Sequence, residues 1–425
     1  MLMSEAMFYL KERGARPIYQ DEELHVLMVS LIFCLLLRPQ RGTLDEYYCS
    51  QYPIDNGKQN VLYLLQFHLN HPENQVIIPK LLKQATQITP PLAGQRLMKL
   101  LCSSLFDLSM YNNGKNWTKI GEGAYANVYE CQMNLTDPQQ VAIKQMIQPS
   151  SIYDRCVLHD IFTEITCLEE LRLEMCVTDL YDYGVDQSCY YIIMKKYACS
   201  LKEWRNKQQK GLMENLSLYL SIYKEVLKAF SIIHSHNVTH YDIKCDNVLI
   251  DFGSQYQNKS VSKWAQDDEK FRITIGDFGE CKMFLNEKDE FCARNRGTDY
   301  IKSPEMLELA VNTRKDTDKY DRRKQVGTNR LSDIWSLGCL LYELLTGEYL
   351  FMDKDYIQFF MRVTKHNEQL FTKEKLDVIA NNIYLVDFLK YILVRDQKVR
   401  LPISSILKRF EHVYALLVST SSANS

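Results

Sequence analysis

The sequence lacks a surplus of either charge. Lys and Arg total 51 against 53 Asp and Glu over 425 residues, so there is no electrostatic argument for a nucleic-acid partner. None of the 13 cysteines sits in a Cys-x-x-Cys. Without metal-ligand spacing, they read as the reduced thiols of an intracellular, cytoplasmic protein. The apolar run Leu24–Leu37 is 14 residues long, short of the roughly 20 that a spanning helix needs. It suits a helix buried on all sides, with Asp21, Glu22 and Glu23 favourable at its start. Glu5, Lys11, Glu12 and Arg13 break up any cleavable apolar leader, and the expectation is a chain with no membrane span. No low-complexity tract occurs. The length implies two domains and a large core.

What the chain does carry is a set of spacings suited to phosphoryl transfer. His240-Tyr241-Asp242-Ile243-Lys244-Cys245-Asp246-Asn247 follows an apolar run. It supplies a carboxylate to orient a hydroxyl, a cation for a moving phosphoryl group, and an amide oxygen for a metal ion. The stretch resembles the catalytic loop of the eukaryotic protein kinases, His-Arg-Asp-Leu-Lys-x-x-Asn, with Tyr241 at the Arg position.

Further motifs follow the order of that family. Ile120-Gly121-Glu122-Gly123-Ala124-Tyr125-Ala126-Asn127-Val128-Tyr129 reads as strand, glycine turn, strand, where backbone N–H groups can approach phosphate oxygens. Ala126 stands where the family has its third glycine. Val141-Ala142-Ile143-Lys144 resembles the strand whose lysine holds the α- and β-phosphates. That lysine needs a carboxylate, and 158–171 has helical periodicity. Glu164, in a Glu-Ile-x-x-Leu context, is assigned as the partner, with Glu169 and Glu170 as competing choices.

Two Asp-Phe-Gly tripeptides compete for the metal-binding role. Asp251 lies four residues after Asn247 and Asp277 lies 30 after it. The family places a hairpin between the two ligands, and four residues reach at most about 14 Å. Phe271-Arg272-Ile273-Thr274-Ile275 alternates as a strand leading to Asp277. Asp277-Phe278-Gly279 is therefore assigned to the metal, and Asp251 to the end of the preceding strand. The polar stretch 253–270 is an insertion in the hairpin.

Later motifs match as well. Gly297-Thr298 with Ser303-Pro304-Glu305 resembles the end of an activation segment. Asp333-Ile334-Trp335 resembles the helix whose Asp braces the catalytic loop, and Arg400 fits the late partner of Glu305. His240 reads as a structural residue bonding backbone near Asp277. Met194 takes the gatekeeper position, with backbone of Lys195, Lys196 and Tyr197 against the adenine edge. Ser200 is a helix N-cap. Cys281 reads as an incidental thiol beside the site. The interval from Glu305 to Asp333 is longer than usual and holds a basic insertion near 312–330, read first as a solvated loop and otherwise as a docking loop.

The resemblance implies a bilobal α+β kinase fold over 113–415, with a small lobe 113–197 and a large lobe 198–415. A helical region 1–112 precedes it and a tail 416–425 follows. The helical region has helix–turn–helix texture of armadillo or HEAT type, or is a plain extension; it is a candidate surface for a protein partner. The implied activity is transfer of the ATP γ-phosphoryl group to protein Ser or Thr hydroxyls, using Mg²⁺ or Mn²⁺ in its place. Lys244 and Gly297-Thr298 resemble the Ser/Thr type, and the hinge region the tyrosine-kinase-like branch. With Tyr241 for Arg, activity is expected to depend weakly on activation-loop phosphorylation. The alternatives are a pseudokinase scaffold and a helical-repeat interaction protein.

Overall fold

The computed structural model describes residues 108–123, 126–133, 140–147, 155–185, 189–208, 215–252, 271–284, 292, 295–312, 327–379 and 382–422. The run 24–37, nearly all of the expected helical N-terminal region, and the insertions at 253–270 and 313–326 lie outside the described residues. Backbone contacts divide the chain into two units, 1–158 with 181–194, and 159–180 with 195–425.

The first unit holds five strands: β1 (Thr118–Glu122), β2 (Ala126–Gln132), β3 (Gln140–Ile147), β4 (Leu180–Val185) and β5 (Cys189–Lys195). They form one sheet in the order β1-β2-β3-β5-β4. Period-2 alternation sets its faces. Cys131, Val141, Ile143, Cys189, Tyr191 and Ile193 share a core with Tyr111 of the 3-10 turn Leu108–Gly114. Ala142 and Lys144, offset by one residue, belong to the other face. Antiparallel register aligns Gly121 with Val128, and Val128 with Lys144.

The second unit is mainly helical. Its helices are α1 (Arg155–Glu170), α2 (Leu201–Asn206), α3 (Leu216–Ser235), α4 (Pro304–Asn312), α5 (Leu331–Thr346), α6 (Tyr356–Thr364), α7 (Lys373–Val378), α8 (Ile383–Ile392) and α9 (Ile403–Ser422). α5 is buried on every side from Ser332 to Leu345, as its nearly continuous apolar sequence demands. Tyr223 of α3 packs edge-on against Phe388 of α8 and Phe410 of α9, with centroids 6.3 and 4.9 Å away. Ser200 caps α2 through a reciprocal box with Glu203. Short strands complete this unit: β6 (Cys199–Ser200), β7 (Val238–Thr239), β8 (Val248–Phe252), β9 (Phe271–Ile275) and β10 (Lys282–Met283).

Two stretches lie at the expected lobe and tail boundaries. Most of α1, expected within the small lobe, belongs with the second unit, where Thr178 N–H just beyond it bonds the Ile275 carbonyl at 3.0 Å. The tail expected from 416 is helical to Ser422 as part of α9, because Leu417 is still buried. Among the described residues no helix is long and apolar enough to cross a membrane.

Candidate active site

The loop 240–247 is shaped by one buried carboxylate. Asp333, on α5, accepts the backbone N–H groups of His240 and Tyr241, both at 2.8 Å. It also meets His234 Nε2 at 2.9 Å. Tyr241 is held at φ 65°, a conformation that a bulky residue adopts only under outside constraint. The His240 ring has one role for each nitrogen. Nδ1 accepts from Asp242 N–H at 3.3 Å, so Nε2 carries the proton it donates to the Gly276 carbonyl at 3.0 Å. Phe278, fully buried, packs its ring 4.9 Å from the His240 ring.

Asp242 is the meeting point of the loop. Its Oδ1 accepts Thr298 N–H at 2.8 Å. Its Oδ2 accepts from Asn247 Nδ2 at 3.0 Å and lies 2.8 Å from Lys244 Nζ. The same Nδ2 group donates to the Asp242 carbonyl at 2.8 Å, so the Asn247 amide is oriented through both of its N–H bonds. Lys244 donates to Thr298 Oγ1 at 2.7 Å. Burial works against the charge on Lys244, but the carboxylates of Asp242, Asp277 and Asp246 outweigh it and hold its pKa above the ordinary lysine value.

The β8–β9 hairpin brings Asn247 and Asp277 to one end. Val248 pairs with Ile275, and Gly276 N–H donates to the Asn247 carbonyl at 2.9 Å. Asp277 follows in a left-handed conformation, φ 55° and ψ 73°, and is exposed. Among the described residues no three His, Cys, Asp or Glu side chains converge as a metal cage. One exposed carboxylate and one amide oxygen, the amide oriented through both of its N–H bonds, fit a hard cation such as Mg²⁺, which keeps few protein ligands. Asp251 sits elsewhere, opposite Arg272 in the β8–β9 ladder and 2.6 Å from Lys195 Nζ.

In the sheet-bearing unit, Gly121, Val128, Ala142 and Lys144 share the face opposite the core. Gly123 N–H donates to the Ala126 carbonyl at 2.8 Å, closing the glycine turn. Glu122 at its rim pairs with Lys119 at 2.7 Å, and Ile120 is exposed where the β1 register shifts. Ala124 and Tyr125 lie outside the described residues. Met194 is half-buried near the end of β5. Glu164 is buried on α1. Of the expected hinge groups, Lys195 N–H is already given to the Asp179 carbonyl at 3.0 Å, and the Tyr197 carbonyl accepts Lys196 Nζ at 2.8 Å. Cys281 is buried beside Cys167, Sγ to Sγ 3.1 Å. Burial, then the Cys167 thiol, then Glu164 raise its pKa well above the usual thiol value.

Outer braces complete the arrangement. Arg400 Nη1 and Nη2 reach the two Glu305 oxygens at 2.7 and 3.0 Å. Gly297, at φ 81°, lies so close to the loop that an added Cβ would stand 2.1 Å from the Tyr241 carbonyl oxygen. Sequence reasoning missed three contributors. Glu343, buried on α5, accepts Cys245 N–H at 3.0 Å. A lone carboxylate inside the apolar run Gly338–Leu345 was the available signal. Thr328 accepts the Tyr241 hydroxyl on its carbonyl at 3.0 Å and forms a backbone bridge with Cys292; nothing local announces it. Arg296 meets Asp160 at 3.4 Å, and its signal was a cation directly preceding Gly297-Thr298.

Comparison with known proteins agrees with this geometry. The protein kinase domain family matches residues 115–412. A probable serine/threonine-protein kinase of Dictyostelium discoideum is 39% identical over 422 residues, 98% of this chain and 17% of that protein. A CBL-interacting protein kinase of Oryza sativa subsp. japonica is 27% identical over 58% of this chain and 46% of its own. A mitogen-activated protein kinase of Caenorhabditis elegans is 28% identical over 61% of this chain and 50% of its own. The chain thus spans from about a sixth to half of the length of these relatives. With the ordered motifs and the loop built around Asp242, the chain belongs to the protein kinase family.

Proposed function

We propose that this chain is a protein serine/threonine kinase that transfers the γ-phosphoryl group of ATP to a protein hydroxyl. The observation that carries it is the convergence of Thr298, Asn247 and Lys244 on the Asp242 carboxylate. In this reading Asp242 orients the acceptor hydroxyl. The hydroxyl oxygen bonds to the γ-phosphorus as the bond to the β–γ bridging oxygen breaks, and the proton passes late to Asp242. Lys244, held charged by its carboxylate neighbours, offsets negative charge on the moving group. Asn247 and Asp277 would hold Mg²⁺, or Mn²⁺ in its place, which neutralises phosphate charge. On the sheet, Lys144 and the glycine turn that begins at Gly121 would hold the phosphates. The base would lie against Ala142, Val128 and Met194. Since Lys195 N–H and the Tyr197 carbonyl are engaged, the groups left for its edge would be the Lys195 carbonyl and the Tyr197 N–H.

The supporting test is labelled ATP with generic protein acceptors. Wild type is expected to transfer label to Ser and Thr, while Asp242→Asn and Lys144→Met lose about 10²-fold or more in kcat/KM, the scale of a lost positioned base or phosphate contact. Equal signal in all three would favour the scaffold alternative. The finer parts of the reading are an affinity with the tyrosine-kinase-like branch, a cytoplasmic location, and a protein partner for a helical 1–112. Cross-linking of the full chain tests the last: adducts mapping outside 1–112 alone would overturn it.

A further inference from the structure

Arg296 is a guanidinium taken almost wholly out of water, 5% exposed. Its neighbours in sequence touch the catalytic loop: Gly297 abuts the Tyr241 carbonyl and Thr298 N–H bonds Asp242. Its own side chain points elsewhere. Nη1 donates to the Glu280 carbonyl at 3.1 Å, with Glu280 Oε2 at 3.9 Å. Nη2 reaches Asp160 Oδ1 at 3.4 Å. Even its backbone N–H is used, on Met306 Sδ at 3.3 Å. A buried cation persists only with counter-charge, and the forked guanidinium serves two acceptors at once.

Both of these partners stand beside the nucleotide half of the proposed chemistry, while the residues that follow Arg296 stand beside the acceptor half. Asp160 lies on α1 one helical turn before Glu164, and Glu280 lies three residues after Asp277. One side chain therefore ties the helix of the lysine's carboxylate partner, the segment of the metal ligand and, through Thr298, the acceptor-orienting Asp242.

We propose that Arg296 is a positioning residue that couples α1 to the acceptor end of the site through its ion pair with Asp160. The inference rests on the kinase reading above. The pair is built from side chains of this chain alone, so it holds the segment before Gly297 without an added phosphate. Because the tie spans both halves, losing it impairs use of ATP and of acceptor together, whereas a tether of the segment alone would affect the acceptor only.

The test uses the full chain as wild type, Asp160→Ala, Arg296→Ala, the double variant and Arg296→Lys. It measures kcat and KM for ATP and for casein separately, with thermal midpoints alongside. Arg296→Ala is expected to lower kcat/KM for both substrates roughly tenfold, within the range of single coupling residues. Asp160→Ala falls less, because Glu280 still faces the guanidinium, and the double variant is no worse than Arg296→Ala. Arg296→Lys recovers part of the loss, since one ammonium replaces the charge but not both contacts. If Arg296→Ala folds poorly, Arg296→Lys against Asp160→Ala carries the same comparison. The proposal is overturned if the two losses multiply in the double variant, or if KM for ATP stays fixed while only the acceptor terms move. It is equally overturned if the loss merely tracks the unfolded fraction. An inactive wild type tells against the kinase reading instead.

Discussion

Lys195 closes an ion pair on Asp251, Nζ to Oδ2 2.6 Å. Asp251 opens one of the chain's two Asp-Phe-Gly tripeptides and sits opposite Arg272 in the β8–β9 ladder. Both side chains retain over a quarter of their exposure, and such pairs are worth about 0–1 kcal/mol. Asp251→Asn is therefore expected to keep activity within about twofold of wild type. Asp277→Asn should lose about 10³-fold, the upper scale for removing one electrostatic partner. Steady-state phosphotransfer by the two variants side by side checks this; similar losses would mean the metal Asp has been misassigned.

Arg400 and Glu305 set an acid limit. Burial works to raise the Glu305 pKa, but the Arg400 guanidinium and the Ser332 hydroxyl outweigh it and hold it below the ordinary 4.5. A lowered folded pKa means that the contribution is fully present above 4.5 and is lost as pH falls through the lower folded value. Arg400→Leu should destabilise by about 3–5 kcal/mol, as expected when one partner of a buried pair goes. Thermal midpoints from pH 3 to 7 should show the gap between wild type and variant shrinking below the carboxylate range. A gap that widens in acid would reverse the assignment.

Glu343 behaves in the opposite sense. Burial raises its pKa, with Cys245 N–H and Lys202 opposing. A raised folded pKa gives stability that is present in acid and is lost as pH rises through it. Glu343→Gln, which keeps an acceptor for Cys245 N–H and removes the charge, should be neutral or stabilising at pH 7. Glu343→Ala leaves that buried N–H unsatisfied and should destabilise by about 1–3 kcal/mol. Denaturant midpoints for the pair at pH 7 decide it, and a Gln variant as damaged as the Ala variant would refute it.

Gly297 has no room for a side chain. With φ 81° and an added Cβ only 2.1 Å from the Tyr241 carbonyl oxygen, Gly297→Ala must move the loop or the segment. Activity should fall at least about tenfold, with a stability loss of roughly 1–3 kcal/mol for the forced conformation alone. An alanine variant with normal kcat would show that the segment relaxes freely.

Tyr241 occupies the loop position where relatives carry a phosphate-gathering arginine. Its ring packs with Cys292, Met306 and Leu309, and its hydroxyl bonds the Thr328 carbonyl at 3.0 Å. Phosphatase-treated protein is therefore expected to keep most of its activity, while Tyr241→Phe costs about 0.5–1.5 kcal/mol of stability for one hydrogen bond. Abolition of activity by phosphatase, restored by rephosphorylation of the segment, would refute this.

The parts of the fold legible in the sequence were those with a local cause. Alternation in Phe271-Arg272-Ile273-Thr274-Ile275 pointed to a strand, and β9 spans those residues. Ser200, read as an N-cap, does open α2. What was not legible depended on distant partners. The Asp160–Arg296 contact joins residues 136 apart, and Cys245 meets Glu343 across 98. No periodicity encodes such pairs, because the loop closures that create them are set by how whole elements pack.

By itself the sequence determined the family to which the chain belongs, because the motifs that mark it are short and local. Lys144, Asp242, Asn247 and Asp277 stand in the order of the kinase motifs, and it is that resemblance, carried by short local stretches, that assigns their roles. The tertiary structure alone decided how that chemistry is held. Asp333 fixes Tyr241 in a left-handed turn, α1 packs with the segment after Asp277, and Arg296 gathers Asp160 and Glu280. Buried charges and strained backbone are stable only where the whole fold surrounds them with partners, and those partners come from remote parts of the chain.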